Sequence, residues 1–224
     1  MITANAIATK AFPMLGDEHL IDDFPGEESL SHTRRRQGRF AGYRLIIGAD
    51  CGPRKAWIVW ALAGRFSVEH EHDGFIVLNQ LNIDGGDIAL HARLIADFHE
   101  ASDYPKASGV FVGPKSISSN SLLAVELDKE ELCHRLSLPS EVSPSGRCCI
   151  RCEHRKMGDG WEVIAGLLHP PAGEPRLLFC PAAYPTYRAL MAQMTREDEH
   201  HAVVALRYAV MGWRQLGGGR GGLR

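Results

Sequence analysis

Asp50 is the residue whose place in the sequence most clearly favours chemistry. It lies near the end of the run 43–52, whose centre from Leu45 to Ala49 is aliphatic and glycine. An unbroken run of this kind predicts a buried central strand, and the glycines on either side of Asp50 predict a turn. One carboxylate would then stand at the end of a core strand, a placement that suits a metal ligand. The alternative is an aspartate that only stabilises a turn or caps a helix.

Cysteines are the second group of candidate ligands. There are six of them, and because the sequence carries no secretion signal we expect reduced thiols rather than disulfides. Structural zinc takes four ligands, usually in two pairs, and the cluster at 148–154 has only Cys133 with His134 as a poor second pair. We therefore expect no structural zinc, and thiols alternating along a strand explain the cluster more simply. The cluster consists of Cys148, Cys149, Cys152 and His154.

Two charged clusters are better explained as solvated surface. Residues 69–73 alternate Glu, His and Asp in a region predicted to be a β-turn, which favours an exposed hairpin over a metal site. The arginines at 34–36 could contact phosphates, but a solvated tail, or a patch against the acidic half of the same segment, explains them more simply.

Composition is that of an ordinary soluble globular protein. The chain has 224 residues, 45% of them apolar and 23% charged, and a formal net charge of −2. This charge gives no overall attraction for nucleic acid, so any DNA binding must come from local patches. No apolar run approaches the roughly 18 residues that span a bilayer, and the N-terminus lacks a basic and then apolar signal segment. We expect a soluble cytoplasmic protein that does not bind membranes.

The hydrophobic pattern predicts an α/β domain. Strands are predicted at 43–52, 56–63 and 74–81, which would form an antiparallel meander. The period becomes helical over 87–100, and the short apolar run 108–113 then predicts a strand parallel to the first. Beyond it we expect a surface helix at 119–136, a strand at 147–153, a short helix ending at 168, a strand at 175–181 and a helix at 184–194.

The last helix is the clearest element of the sequence. Residues 195–198 resemble a capping signal, and an inward-facing side is marked by Ala202, Val203, Leu206, Val210 and Trp213. Three consecutive glycines at 217–219 then predict a flexible tail. The predicted organisation is a partly disordered N-terminal arm or linker at 1–42, one domain at 43–214 and a glycine-rich tail at 215–224.

Several stretches resemble, in order, the C-terminal nuclease domain of the large subunit of tailed-phage terminases. They are IIGADCG at 46–52, VFVGP at 110–114, the stretch 155–168, PRLLF at 175–179 and, most specifically, HAVVALRYA at 201–209. The resemblance covers roughly residues 43–213 and implies a ribonuclease-H-like fold, a mixed β-sheet flanked by helices. The sequence has no glycine-rich lysine motif of a packaging ATPase, so the resemblance is to the nuclease part alone.

The resemblance implies a site in which three acids hold two divalent ions, and this sequence retains one of them. Asp50 matches the first acid, at the end of the first strand. Gly113 stands at the second position, and His200 at the third, at the start of the last helix. A further aspartate that is often found in that helix is replaced by Val204.

A modified metal site remains conceivable from these residues. His200 could bind a softer metal such as manganese or zinc, and Asp198 or Glu199 could turn in from the start of the helix. The alternative is that His200 and His201 are simply a solvated helix end.

The resemblance also implies a function, metal-dependent cleavage of DNA during packaging in the cytoplasm of a bacterial host. The catalytic candidates are Asp50 and His200, and the candidate ligands for Mg²⁺ or Mn²⁺ are Asp50, Asp198, Glu199 and His200. Double-stranded DNA is the expected partner, with phosphates contacted by Arg54, Lys55, Lys115 and Lys156. A terminase ATPase domain, a small subunit or a portal would be further partners. Two alternatives stay open: a non-catalytic ribonuclease-H-like module that binds DNA or a packaging partner, and an α/β protein whose resemblance is accidental.

Overall fold

The computed structural model describes residues 16–21, 43–64, 74–102, 104–113, 118–136, 149–151, 157–169, 175–193 and 201–216. These residues contain six strands and six α-helices. The strands are β1 (Arg44–Cys51), β2 (Lys55–Gly64), β3 (Gly74–Asp84), β4 (Gly109–Val112), β5 (Cys149–Arg151) and β6 (Leu177–Phe179). The helices are α1 (Ile88–Ala101), α2 (Ser118–Leu127), α3 (Glu130–Leu136), α4 (Met157–Leu168), α5 (Tyr184–Gln193) and α6 (His201–Gln215). None of these helices is long and apolar enough to cross a membrane.

The strands form one mixed sheet in the order β5-β4-β1-β2-β3-β6. β1, β2 and β3 are an antiparallel meander, and β4 returns through α1 to lie parallel to β1. β5 is parallel to β4, and β6 is parallel to β3. A meander whose first strand pairs with a parallel strand that follows a helix is the arrangement of the ribonuclease-H-like fold. The predicted fold class, the meander and the parallel neighbour of the first strand are therefore confirmed.

Each face of the sheet packs against its own hydrophobic core. Side chains of a strand alternate between faces, so Ile46 lies in the core with α4, α5 and α6, whereas Ile47 lies in the core with α1, α2 and α3. Asp50 continues the series of Ile46 and Gly48, so its carboxylate emerges on the α6 face.

α6 is buried on all sides rather than on one. Every residue from 202 to 213 is buried, because the helix packs on β1, β2 and β4 and is covered by α4 and α5. The five residues predicted to face inward are all buried, and the opposite side of the helix is buried as well. Gly48 lets the helix approach β1 very closely, since a Cβ there would lie 2.7 Å from the backbone nitrogen of Ala209. This backbone packing fixes where α6 begins relative to the end of β1.

The segment 119–136 is helical, as predicted, but it forms two helices rather than one surface helix. The chain turns at residues 128–129, after which α3 packs beside α1. The guanidinium of Arg135 in α3 forms ion pairs with two carboxylates of α1, Asp97 at 2.6 Å and Glu100 at 2.8 Å. The first turn of α2 is not a surface either, since Ser119 and Asn120 are buried.

Part of the predicted N-terminal arm extends the sheet. Leu20 forms a parallel bridge with Phe179 of β6, and the Ile21 N–H donates to the Phe179 carbonyl at 3.1 Å. His19 is fully buried, with Nδ1 3.1 Å from the Leu177 carbonyl oxygen. Residues 16–21 thus cover the edge of β6. The rest of 1–42, the capping residues 195–198 and the tail at 217–224 lie outside the described residues.

Candidate active site

The site lies where two parallel strands end and two helices begin. Ala49 of β1 pairs with Val112 of β4, so Asp50 and Gly113 follow at the same level of the sheet. The first residue of α6 and the first turn of α2 reach this edge from opposite sides. Loops beyond the carboxyl ends of parallel strands are a usual place for a functional site in α/β folds.

Both carboxylate oxygens of Asp50 are hydrogen-bonded. Oδ2 lies 2.6 Å from Nδ1 of His201, and Oδ1 accepts from Nδ2 of Asn120 at 3.3 Å. Asp50 is only 7% exposed, whereas the His201 side chain is 54% exposed. The site therefore opens to solvent on the His201 side.

Asn120 is held in one orientation by the backbone of β1. The Cys51 N–H donates to Oδ1 of Asn120 at 2.7 Å, and because a backbone N–H can only donate, that atom must be the amide oxygen. Nδ2 then faces Asp50. Asn120 is fully buried, so this bridge fixes the carboxylate relative to its own strand.

The space beside Gly113 is filled by two side chains. A Cβ at this position would overlap Nδ2 of Asn120 and would lie 2.7 Å from the hydroxyl oxygen of Tyr208. Both neighbours are buried. An acid at position 113 therefore cannot be accommodated unless Asn120 or Tyr208 moves.

One side of α6 supplies both His201 and Tyr208 to this edge. The two residues are seven positions apart, which places them on the same side of an α-helix about two turns from each other. Ala205 and Ala209 lie on that side as well, in close contact with Gly48. The small residues let the helix lie against β1, and the two polar residues reach the strand ends.

Cys51 anchors the opposite face of the same strand end. Its Sγ donates to the Gly52 carbonyl at 3.3 Å and lies 3.6 Å from Nδ1 of His91. Nε2 of His91 lies 2.7 Å from the Gly85 carbonyl, which only accepts, so Nε2 carries the proton. Burial, with a smaller contribution from the negative charge of Asp50, raises the pKa of the Cys51 thiol to about 12. At neutral pH it is a thiol and not a nucleophilic thiolate.

Two of the four predicted DNA contacts are described, and both border the site. Arg54 lies in the exposed turn that joins β1 to β2, and Lys55 is the exposed first residue of β2. The Gly85 N–H donates to the Arg54 carbonyl at 2.7 Å, which ties this turn to the start of α1. Lys55 is 3.9 Å from Asp84, an exposed pair that leaves its ammonium accessible. Lys115 and Lys156 lie outside the described residues.

The structure places Asp50 at the end of the first strand, as the sequence predicts. His200, Asp198 and Glu199 lie outside the described residues, so their roles stay predictions. The sequence interpretation missed three members of the site: His201 as the partner of Asp50, Asn120 and Tyr208. The seven-residue spacing of His201 and Tyr208 within HAVVALRYA could have indicated a shared side, whereas nothing in the sequence marks Asn120.

Most of the cysteine cluster at 148–154 lies outside the described residues. Cys148, Cys152 and His154 lie outside the described residues. Cys51, Cys133 and Cys180 are buried, reduced thiols, as expected for the described part of the chain.

Among the described residues, the donors at this edge could hold one divalent cation and not two. Asp50 and His201 offer a carboxylate and an imidazole that already converge within 2.6 Å. Among the described residues no group of three His, Cys, Asp or Glu side chains comes together. Two cations in one site need several acids to neutralise them, and the space beside Gly113 is filled by Asn120 and Tyr208.

No protein-family model and no curated protein matches the chain. Among solved structures it is similar to the nuclease domain of the g2p large terminase of bacteriophage SPP1 with bound Mn, with a TM-score of 0.47 and 11% identity over 88% of this chain and 94% of that one. It is also similar to the Mn-soaked terminase nuclease domain of human cytomegalovirus, with a TM-score of 0.47 and 9% identity over 84% and 93% of the two chains. A third likeness is to RuvC of Thermus thermophilus, with a TM-score of 0.39 and 11% identity over 78% and 98%.

Proposed function

We propose that this chain is a nuclease-type domain of a DNA-packaging terminase that acts on double-stranded DNA with one divalent cation at Asp50 and His201. The observation that carries the proposal is the contact between these two side chains. It joins the end of the first strand to the start of the last helix, the two places from which the terminase-like sequence pattern draws its first and third acids. A packaging ATPase domain, a small subunit or a portal would be its partners in a bacterial host.

The chemistry of the pair favours a cation that accepts mixed ligands. Nδ1 of His201 donates to a carboxylate oxygen of Asp50, so a cation that takes the place of this proton would be held by both side chains. An oxygen and nitrogen donor set suits Mn²⁺ better than Mg²⁺, which prefers oxygen ligands throughout. Such a cation would polarise a phosphodiester and lower the pKa of a bound water. With one acid retained, we expect cleavage that is weak compared with a two-cation enzyme.

DNA would approach from the side on which His201 is exposed. Arg54 and Lys55 border this side and can pair with phosphates, although the chain as a whole carries a net charge of −2.

Nicking of a supercoiled plasmid tests the proposal. The full chain should convert supercoiled DNA to open circles in Mn²⁺, more slowly in Mg²⁺, and not in the presence of EDTA. Absence of nicking in Mn²⁺, Mg²⁺ and Zn²⁺ at high protein concentration would overturn it.

A second candidate is a non-catalytic module that binds DNA. The filled space beside Gly113 favours it, because the two-cation arrangement is closed by Asn120 and Tyr208. This candidate predicts salt-dependent DNA binding without cleavage in any divalent metal. If the chain does not bind DNA at low salt either, only a role with a protein partner remains.

A further inference from the structure

We propose that Asn120 stands in for the second acid of the site: it is the positioning residue that holds Asp50 without a cation, and a carboxylate in its place creates a two-acid cation site. The inference deepens the proposed function and rests on it in treating this edge as a cation site. It does not require that the natural chain cleave DNA.

Asn120 fills the space beside Gly113. The amide nitrogen of Asn120 occupies the space into which a side chain at Gly113 would project. The absence of a side chain at Gly113 therefore leaves no empty space there. A polar group from α2 has taken it, at hydrogen-bonding distance from Asp50.

The oxygen and the nitrogen of the Asn120 amide make different contacts. Its oxygen is committed to the Cys51 N–H at 2.7 Å, so only the amide N–H group faces Asp50. A donor at this place satisfies one carboxylate oxygen while His201 satisfies the other. Asp50 is thus stabilised without a cation, and the Asn120 atom that faces it is an amide nitrogen, which donates hydrogen bonds and does not bind a cation.

Aspartate has the same shape as asparagine and could replace it at position 120. In Asn120→Asp, one oxygen keeps the Cys51 N–H, and the other takes the place of Nδ2, which is now 3.3 Å from Oδ1 of Asp50. Two carboxylate oxygens so close repel each other, and a divalent cation relieves the repulsion. The change adds the missing acid without the overlap that an acid at position 113 would meet.

A purely structural role for Asn120 makes a different prediction. If the residue only ties α2 to β1, its replacement changes the free energy of unfolding and leaves the cation affinity unchanged. Asn82→Asp is the matched control, because Asn82 is an exposed residue of β3 on the strand row of Asp50 and Trp57, and it gains the same charge.

The experiment is a titration of the full chain with Mn²⁺, followed by electron paramagnetic resonance of the free ion. Asn120→Asp should bind Mn²⁺ at least about tenfold more tightly than the natural chain. Asn82→Asp should change the affinity by no more than about twofold, because an exposed charge is screened. The gain should disappear in the double variant Asp50→Asn with Asn120→Asp, which shows that both carboxylates hold the ion.

A second route keeps the inference testable if Asn120→Asp does not fold. Gly113→Asp with Asn120→Ala and Tyr208→Phe places the acid just after β4 and removes both the amide and the hydroxyl that block it. This variant should also bind Mn²⁺ more tightly, whereas Gly113→Asp alone should not. The inference is overturned if the folded Asn120→Asp chain, checked by circular dichroism, gains no affinity, or if Asn82→Asp gains as much. It is also overturned if Asn120→Asp does not fold and the second route gains nothing. A natural chain that does not nick DNA would overturn the proposed function and leave this result intact.

Discussion

His201 and Asp50 are 151 residues apart in sequence, and their side chains meet at 2.6 Å where α6 begins and β1 ends. The contact links the two elements that the fold uses to build this edge. Asp50 is nearly buried and His201 is half exposed, so the pair has one side fixed by the protein and one side open to solvent. The pair therefore combines a buried carboxylate with an imidazole that solvent can reach.

The histidine that matters most for cation binding is expected to be His201. Because Nδ1 of His201 already contacts Asp50, His201→Ala should weaken Mn²⁺ binding by about tenfold. His200→Ala is the comparison, since the sequence pattern pointed to that residue. A larger loss of affinity in His200→Ala than in His201→Ala would assign the ligand role to His200.

A side chain at position 113 should destabilise the fold. Gly113→Ala brings a Cβ against Nδ2 of Asn120 and the hydroxyl of Tyr208, and relieving the overlap disturbs the hydrogen bond to Asp50. We expect a loss of about 1–3 kcal/mol in the free energy of unfolding, measured by denaturant titration. Gly52→Ala is the control, because its Cβ would meet only the Lys55 carbonyl at 3.6 Å. Equal effects of the two changes would show that the space beside Gly113 is not filled as described.

Binding of DNA should depend on the turn between β1 and β2. The double change Arg54→Ala with Lys55→Ala should weaken binding and reduce the slope of log affinity against log salt by about one to two units, as phosphate contacts are lost. Arg44→Ala removes a charge at the other end of β1, where Arg44 is the first residue of an eight-residue strand, and should have little effect. Fluorescence anisotropy with a labelled duplex at several salt concentrations measures both.

Acid should destabilise the domain through His99. Burial, with the positive charge of Lys106, lowers the pKa of His99 to about 4, whereas the unfolded chain takes up a proton near 6.5. The unfolded state therefore binds more protons between these values, and stability is present above pH 6.5 and lost as the pH falls toward 4. We expect the free energy of unfolding to decrease by about 2 kcal/mol from pH 7 to pH 4.5 on this account.

His99→Gln serves as the comparison for the pH dependence. The glutamine can still accept the Trp60 indole N–H, which lies 3.3 Å from Nδ1 of His99, but it does not titrate. Its unfolding free energy should be less sensitive to pH over the same interval. An identical pH dependence in both chains would contradict the assignment to His99.

The architecture could be predicted from the sequence because its central strands are long aliphatic runs. Residues 43–52, 56–63 and 74–81 correspond to β1, β2 and β3, and the change of period at residue 87 corresponds to α1. The position of Asp50 followed from the same pattern. Local hydrophobic periodicity is strongest where burial is greatest, and these elements form the centre of the sheet.

Other features depend on contacts that periodicity does not report. Leucines occur on both sides of Asp128 and Lys129, at residues 127 and 132, so the pattern could not reveal that α2 and α3 are separate helices. The side of α6 that faces away from the sheet is covered by α4 and α5. Small residues do not show in the sequence whether such a side is covered or exposed. Asn120 lies 70 residues from Asp50, and only the packing of α2 against the strand ends makes it part of the site.

We propose that Asp50 carries the metal-dependent chemistry of this edge. The most direct measurement is the rate of Mn²⁺-dependent nicking of supercoiled plasmid by the natural chain and by Asp50→Asn, under single-turnover conditions. Asp84→Asn is the matched control, because Asp84 is an exposed carboxylate at the end of β3. We predict that Asp50→Asn abolishes nicking and that Asp84→Asn leaves it unchanged. Nicking that survives in folded Asp50→Asn would show that the cleavage does not depend on Asp50.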